Sequence, residues 1–190
     1  MKAFLNDDSC FVEATVSEQD EATLWELGYF GPVLNITEII YLLETLSLEV
    51  EVFRDGKRTA VLMDSCAAFW NHLRLKLPDS QLERQRKVSL VYNDLRKRGW
   101  IVRTGLNYGC DFLLYTTSPE EEHSPYALLV QESSKNSIQM RWRDLLAHNR
   151  VVSTARKQLI LALLENEVIT YKLVERWLPE RNRSLETQNS

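Results

Sequence analysis

Cysteines are few in this 190-residue chain, and long apolar runs are missing. The three cysteines, Cys10, Cys66 and Cys110, are far apart and form no CxxC pair, so the sequence predicts neither a disulfide framework nor a zinc site, and a reducing compartment fits. No apolar run approaches the roughly 20 residues of a membrane span. The start, MKAFLNDDSC, has no apolar signal-peptide core. We therefore expect no membrane partner, no secretory signal and no structural metal.

Common catalytic motifs are also missing. The three histidines, His72, His123 and His148, have neither HxxxH nor HExxH spacing, and GxSxG, P-loop and GxGxxG sequences are absent. These absences exclude most hydrolases, nucleotide-dependent enzymes and oxidoreductases. His123 stands out because it lies in the polar stretch 119–125 between two apolar segments, where a histidine is exposed and able to titrate. The alternative is an ordinary solvated loop histidine.

What the chain does have is the composition of a globular protein, with 44% hydrophobic and 26% charged residues. Its length suits one or two small domains. The net charge of -4 argues against a general nucleic-acid binder. The charge is unevenly placed, however: residues 1–80 hold 6 basic and 14 acidic residues, and residues 81–190 hold 17 and 13. This indicates a charged partner for the second half, or simply two solvated surfaces of different composition.

Hydrophobic periodicity and turn residues predict an α+β fold. In residues 1–80, a capped helix follows Ser17, a second follows Asn35, and Asp55-Gly56 marks a hairpin. The remaining predicted elements of this half are strands over 10–16, 48–53 and 59–63 and a helix over 65–77. Together they make a small N-terminal α+β domain.

The second half predicts a mixed α/β domain with a central β-sheet flanked by helices. It begins with a basic helix over 81–97 that ends at Gly99. The other predicted elements are strands over 100–103, 112–115, 126–130, 157–164 and 168–174 and a helix over 138–150. The segment 157–164 is equally compatible with a helix end, because short apolar runs are ambiguous. We therefore predict domains over 1–80 and 81–178 and a polar tail over 179–190.

Several segments of the second half resemble the catalytic domain of tRNA-splicing endonucleases. They read YNDLRKRGWIV from Tyr92, GLNYGCDFLLY from Gly105, HSPYA from His123 and RVVSTARK from Arg150. They occur in the family's order and at nearly its spacing, over about residues 85–178. Residues 24–31 and 36–44 resemble the family's N-terminal domain more weakly. The resemblance implies an endonuclease-like fold for the second domain.

The resemblance also implies an active site made of Tyr115, His123 and Lys157. The family's reaction uses no metal or cofactor: the 2′-hydroxyl of the RNA attacks the adjacent phosphorus and leaves a 2′,3′-cyclic phosphate and a 5′-hydroxyl. It implies Tyr115 as base, His123 as acid and Lys157 as the cation that stabilises the phosphorane. A tyrosine needs a nearby cation to act as a base near neutral pH, and we expect Lys157 to help supply it. Singly, each residue has an ordinary structural alternative.

Substrate and subunit contacts follow from the same resemblance. The substrate implied is precursor tRNA, cut at bulge–helix–bulge junctions. Arg150 matches an arginine that stacks on a bulged base, with a helix-end cation as the alternative. The second stacking arginine has no clear counterpart, and Lys172, Arg176 or Trp177 are the candidates to replace it.

Family members act as four-unit assemblies in which an acidic loop of one subunit docks on another. Glu165 and Glu167 are candidates for that loop, with a simple acidic turn as the alternative. The resemblance thus implies a homo-oligomer, dimer or tetramer, or a hetero-tetramer with a related subunit. It would be cytoplasmic if archaeal, which the compact length favours, and nuclear if eukaryotic. The alternatives are a non-catalytic structural subunit and an RNA-binding module without catalysis.

Overall fold

The computed structural model describes residues 1–6, 12–29, 31–54, 57–134, 137–138 and 140–175. The chain divides into two compact units, one made of residues 1–102 and 116–122 and the other of residues 103–115 and 123–190. The α+β class is confirmed, with five helices and two sheets among the described residues. No helix in these ranges is both long and apolar enough to cross a membrane.

The first unit is a five-stranded sheet with helices. Its elements are β1 (Lys2–Asn6), β2 (Glu13–Val16), α1 (Glu18–Glu26), β3 (Val33–Asn35), α2 (Ile36–Thr45), β4 (Glu49–Arg54), β5 (Lys57–Met63), α3 (Cys66–Lys76) and α4 (Asp79–Lys97). The strands have the order β3-β2-β1-β4-β5, with β1 and β4 parallel and the other neighbours antiparallel. The predicted Asp55-Gly56 turn lies outside the described residues, as do Cys10 and the tail from 179.

Helix α2 begins where the sequence predicted, at Asn35. The Asn35 side chain accepts hydrogen bonds from the backbone of Thr37 and Glu38, and the Glu38 carboxylate accepts one from the Asn35 backbone, which completes a capping box. Helix α2 packs on α4, where the Tyr41 and Tyr92 rings meet edge to face at 5.7 Å. Because of this packing, the compact first unit includes α4, which the sequence analysis assigned to the second domain. The family domain boundaries stay a prediction.

The second sheet has the order β11-β10-β8-β7-β6, and a short strand β9 also pairs with β8. Strands β8 and β10 are parallel, whereas β7–β8 and β10–β11 are antiparallel. The elements are β6 (Ile101–Thr104), β7 (Phe112–Tyr115), β8 (Tyr126–Ser134), β9 (Ser137–Ile138), α5 (Trp142–Thr154), β10 (Gln158–Glu165) and β11 (Val168–Val174). Helix α5 packs against β10, and Leu145 and Val152 of the helix meet Leu159 and Leu161 in a buried core.

The structure corrects one predicted element, adds two strands that were not predicted, and decides one ambiguous segment. The helix predicted over 138–150 is α5, four residues further on, because Ile138 pairs with β8 as part of β9 and Val152 is buried in the core. Strands β1 and β3 were not predicted, since a strand of three to five residues depends on its neighbours for stability. The ambiguous segment from 157 is strand β10, paired on both sides.

Candidate active site

Three loop ends meet on one side of the second sheet, where β7 ends and β8 and β10 begin. In the antiparallel β7–β8 pair, Leu114 lies opposite Tyr126, so the end of β7 adjoins the start of β8. In the parallel β8–β10 pair, Tyr126 lies opposite Gln158, so both strands start at that same edge. The residues at these strand ends and just beyond them therefore share one rim of the sheet. These include the three predicted catalytic residues, Tyr115, His123 and Lys157.

Lys157 is the most enclosed of the three, with 9% of its surface exposed. The chain reverses direction between α5 and β10 at Arg156, whose φ of 56° is left-handed, and the Lys157 backbone N–H donates to Val152 at 3.1 Å. The side-chain ammonium donates to the backbone carbonyl of Ser124 at 2.8 Å. It also lies 5.2 Å from the centre of the Tyr108 ring. The lysine is thus held by one carbonyl and one aromatic face.

Burial lowers the pKa of Lys157, because removing water disfavours its charged form. The Ser124 carbonyl oxygen and the face of the Tyr108 ring both favour the ammonium form. An ammonium group has three donor hydrogens, and the Ser124 bond uses one of them. Lys157 therefore combines a fixed position with hydrogen-bonding capacity for an anion.

Tyr115 is the last residue of β7, and its half-buried ring packs against the core of the second unit. Burial raises the pKa of Tyr115, the positive charge of Arg103 acts in the opposite direction, and the nearby Tyr108 phenol adds to the increase. From the sequence, Lys157 was the residue expected to help provide the cation for Tyr115. The charge that lowers this pKa comes instead from Arg103, on the neighbouring strand β6.

His123 is exposed in the loop between β7 and β8. The next residue, Ser124, is buried; its hydroxyl donates to the Tyr126 carbonyl at 2.7 Å, and its own carbonyl accepts from Lys157. The Pro125 carbonyl accepts from the Gln158 backbone at 2.9 Å. These bonds attach the chain just after His123 to the start of β10. The position of the histidine backbone is therefore tied to that of Lys157.

Tyr108 and Arg103 are site residues that sequence reasoning did not single out. Tyr108 ends a single 3₁₀ turn (Leu106–Tyr108) between two glycines. A Cβ on Gly105 would lie 2.9 Å from the Cys110 carbonyl oxygen, and Gly109 has a left-handed φ of 66°. The spacing of these two glycines was the available signal, and it predicted only a loop. In the structure the two glycines allow a turn that places the Tyr108 ring beside the Lys157 ammonium.

The predicted RNA and subunit residues are more widely spread. Arg150 is exposed on α5 and lines a groove of about 820 Å³ between that helix and the end of β11. Lys172 is exposed on β11, while Arg176 and Trp177 lie outside the described residues. The other residues of the groove are Trp142, Leu145, Leu146, Asn149, Ser153, Thr154, Val174 and Glu175.

Glu165 and Glu167 lie at a tight hairpin turn, Glu165 just before it and Glu167 within it. Glu165 pairs with Val168 across the β10–β11 ladder, and the two residues between them, Asn166 and Glu167, have φ values of 49° and 66°. Two consecutive left-handed residues form the turn whose twist suits a two-residue hairpin. The role of this acidic turn at a subunit contact stays a prediction. Within the described ranges, no three His, Cys, Asp or Glu side chains are grouped so that they could hold a metal ion.

Comparison with known proteins decides the family. Residues 86–171 match the family described as tRNA intron endonuclease, catalytic C-terminal domain. A tRNA-splicing endonuclease of Sulfolobus acidocaldarius is 34% identical, over 82% of this chain and 87% of the relative. The chain belongs to the tRNA-splicing endonuclease family. Tyr115, His123 and Lys157 all lie inside the segment matched to that family's catalytic domain.

Other members of the tRNA-splicing endonuclease family are similar over different lengths. The tRNA-splicing endonuclease of Sulfurisphaera tokodaii is 29% identical over 84% of this chain and 91% of the relative. The subunit Sen2-1 of the Arabidopsis thaliana tRNA-splicing endonuclease is 34% identical over 52% of this chain and 48% of the relative. Similarity to the proteins of Sulfolobus acidocaldarius and Sulfurisphaera tokodaii therefore extends beyond the catalytic domain. Family membership supports endonucleolytic cleavage of tRNA introns.

Proposed function

We propose that this chain cuts the introns of precursor tRNA at bulge–helix–bulge junctions without a metal ion. In this reaction the 2′-hydroxyl at each junction attacks the adjacent phosphorus, the bond to the 5′-oxygen breaks, and the products carry a 2′,3′-cyclic phosphate and a 5′-hydroxyl. The observation that carries the proposal is the convergence of Tyr115, the His123 loop and Lys157 at one sheet edge. Lys157 lies 34 residues after His123 and 42 after Tyr115 in the sequence, and the three residues lie in separate segments that resemble the family.

Lys157 stabilises the phosphorane in this proposal. Its ammonium keeps donors beyond the one directed to Ser124, and its low exposure strengthens any bond to a phosphate oxygen. Tyr108 acts as a positioning residue, because the π-face of its ring attracts the Lys157 ammonium and helps to hold it in place. Neither contact requires the substrate, so the cation is in place before RNA binds.

Tyr115 takes the proton of the 2′-hydroxyl and His123 donates one to the leaving 5′-oxygen. The raised pKa of Tyr115 has a consequence for the rate. Even at the ordinary tyrosine pKa of about 10, only about one phenol in a thousand is ionised at pH 7. The pH dependence of the cleavage rate should therefore change when the pKa of Tyr115 is changed, and Tyr115→Phe, which removes only the hydroxyl, should slow cleavage strongly.

The test is cleavage of an intron-containing precursor tRNA in EDTA, followed by analysis of the product ends. Wild-type protein should cut both junctions and leave cyclic phosphate and 5′-hydroxyl termini. His123→Ala and Lys157→Ala should each slow single-turnover cleavage at least a hundredfold, because each removes a group used only in the transition state. Arg143→Ala, which removes an exposed cation from α5 in the same unit, is the control and should cut at the wild-type rate.

The other outcomes identify the alternatives. Wild-type rates in His123→Ala and Lys157→Ala would show that the assigned residues are wrong. Binding of precursor tRNA with no cleavage under any condition would point to an RNA-binding module. Cleavage that begins only when a related subunit is added would indicate a hetero-oligomer.

We also propose that Arg150 stacks on a bulged base of the substrate. It is exposed beside a groove that also contains the indole of Trp142, 70% exposed, and a flat guanidinium or indole can stack on any base. Arg150→Ala should weaken binding of a bulged RNA by about 1–3 kcal/mol. The same change should leave binding of an unbulged duplex unaltered, which distinguishes stacking from general charge attraction.

We further propose that the protein assembles into an oligomer, and the edge strand β11 of the second sheet supports this proposal. Strand β11 lies at the end of the strand order, and its Val168 and Leu173 are 65% and 48% exposed. An apolar edge strand is a surface that another chain can pair with. Light scattering should report a dimer or tetramer, and Leu173→Lys should shift it toward the monomer. The archaeal relatives favour the cytoplasm as the location of this activity.

A further inference from the structure

Positive charge is concentrated in one segment of this acidic chain. Residues 66–98 contain eight Lys and Arg against three Asp and Glu, whereas residues 1–65 contain four against thirteen. Residues 99–190 are balanced, with eleven of each sign. The excess of cations in the second half of the sequence therefore comes from residues 81–98, which are most of α4 and the residue after it. In the structure α4 belongs to the first compact unit, together with α3.

Three of these cations share an exposed surface with an aromatic ring. Arg74, Arg86 and Lys97 are exposed, and the Arg86 guanidinium lies 5.6 Å from the centre of the half-buried Trp70 ring. Arg74 is four residues after Trp70, on the same side of α3, and its guanidinium donates to the Asn71 side-chain oxygen at 3.2 Å. The contacts of both arginines are thus with neutral groups, which leave their charge uncompensated.

Two of the three acidic residues of α4 pair with cations outside this set. Glu83 pairs with Lys87 at 3.3 Å, and Asp94 pairs with Arg98 at 2.7 Å, each one turn apart. Arg86 and Lys97 are eleven residues apart, which is three helical turns, so they lie on one side of α4 about 16 Å apart along its axis. Two cations at that separation fit an extended polyanion better than a single phosphate group.

We propose that this α3–α4 basic surface, formed by Trp70, Arg74, Arg86 and Lys97, binds the phosphate backbone of the precursor tRNA. The proposal rests on the proposed function, because that function identifies the polyanion as RNA. The surface holds the substrate by charge and gives no catalytic group. An acidic protein segment, such as residues 1–65 of a second copy, is the competing ligand. RNA is favoured because a guanidinium stacked on an indole offers both a phosphate donor and a flat face.

The experiment measures equilibrium binding of a precursor tRNA that has 2′-deoxynucleotides at both junctions and so lacks the attacking hydroxyl. The affinity is followed as a function of KCl concentration for wild type and two variants. R86Q/K97Q removes two cations of the basic surface. K87Q/R98Q is the matched control, because it removes two cations of the same helix at the same spacing, both already paired with carboxylates.

The slope of log affinity against log salt reports the number of phosphates neutralised, at about 0.9 per contact in a duplex. R86Q/K97Q should reduce that slope by about 2, and adding Arg74→Gln should reduce it by nearly one more. K87Q/R98Q should change it by less than about 1. Thermal unfolding of both double variants should stay close to that of wild type, because three of the four side chains are exposed and each ion pair one turn apart contributes only about 0.5 kcal/mol.

Equal slopes for the two double variants would overturn the proposal. An altered mass in light scattering for R86Q/K97Q, with unchanged RNA affinity, would assign the surface to a second copy instead and would also overturn it. Failure of the proposed function is read separately, from cleavage of the unmodified RNA by the wild-type protein. If the wild-type protein does not cleave the RNA but the salt slope is still lower for R86Q/K97Q than for wild type, the basic surface binds RNA and the proposed nuclease function is wrong.

Discussion

The variant Lys157→Met distinguishes a catalytic role of Lys157 from a structural role. Methionine preserves the length and most of the volume of the side chain, and removes only the charge and its donors. Because Lys157 is 9% exposed, the new side chain fills the same enclosed space without creating a cavity. The Ser124 carbonyl and the Tyr108 ring lose their cation. Every other contact of the core stays possible.

The expected magnitudes for activity and stability differ. Removal of one donor that stabilises a transition-state anion costs about 10²–10³ in rate. For stability, the charged hydrogen bond to Ser124 is worth about 1.5–3 kcal/mol and the ring contact about 0.5–2 kcal/mol. Burial of the ammonium costs several kcal/mol in the opposite direction. We therefore expect Lys157→Met to lose nearly all cleavage while its free energy of unfolding changes by less than about 2 kcal/mol.

The pH dependence of stability checks the same reasoning. Because burial lowers the pKa of Lys157 from its ordinary 10.5, there is a pH interval below that value in which the unfolded chain keeps a proton that the folded protein has released. Folding is favoured as pH rises through that interval, since the unfolded state binds more protons. The stability of wild type relative to Lys157→Met should therefore increase with pH there and stay constant at lower pH.

The assays are single-turnover cleavage and denaturant unfolding on the same preparations. Leu159→Ala is the contrasting variant, because Leu159 is fully buried two residues away and carries no charge. It should lose about 2–5 kcal/mol of stability and keep its cleavage rate where it remains folded. If Lys157→Met instead unfolds like Leu159→Ala, the lysine is structural. If it cuts at the wild-type rate, the lysine does not stabilise the transition state.

Three further predictions concern other residues. Tyr108→Leu should slow cleavage about fivefold, because it removes about 1 kcal/mol of cation–π interaction, whereas Tyr108→Phe should retain the wild-type rate. If Tyr108→Leu cuts as fast as wild type in single-turnover assays, Tyr108 has no positioning role. Arg103→Gln should raise the pKa of Tyr115 further and move the pH–rate profile to higher pH, because the positive charge is lost. Arg103→Lys keeps the charge and should have a profile close to that of wild type. An unchanged profile in Arg103→Gln would contradict this prediction. Asn35→Ala should lose about 1 kcal/mol of stability in thermal unfolding by breaking the capping box, at unchanged cleavage, and Asn35→Ser should restore most of it.

Local patterns in the sequence were enough to predict most elements. The Asn35 cap with its periodic apolar residues predicted α2, and alternation predicted β11 with the bounds that the structure has. The shift of α5 and the unpredicted β1 have a common cause. Ile138 is a strand residue because β8 lies beside it, and β1 is a strand because it lies between β2 and β4. Such neighbours are not visible in a short window of sequence.

By itself, the sequence determined the family, the α+β class and which side chains are available for chemistry, since these depend on residue type and spacing along the chain. Only the tertiary structure decided how those side chains are held. Lys157 meets Ser124 and Tyr108 across 33 and 49 residues, and Arg103 rather than Lys157 supplies the charge that lowers the pKa of Tyr115. The assignment of the basic helix α4 to the first unit is of the same kind. Burial and long-range packing set electrostatics, and neither is a property of a local segment.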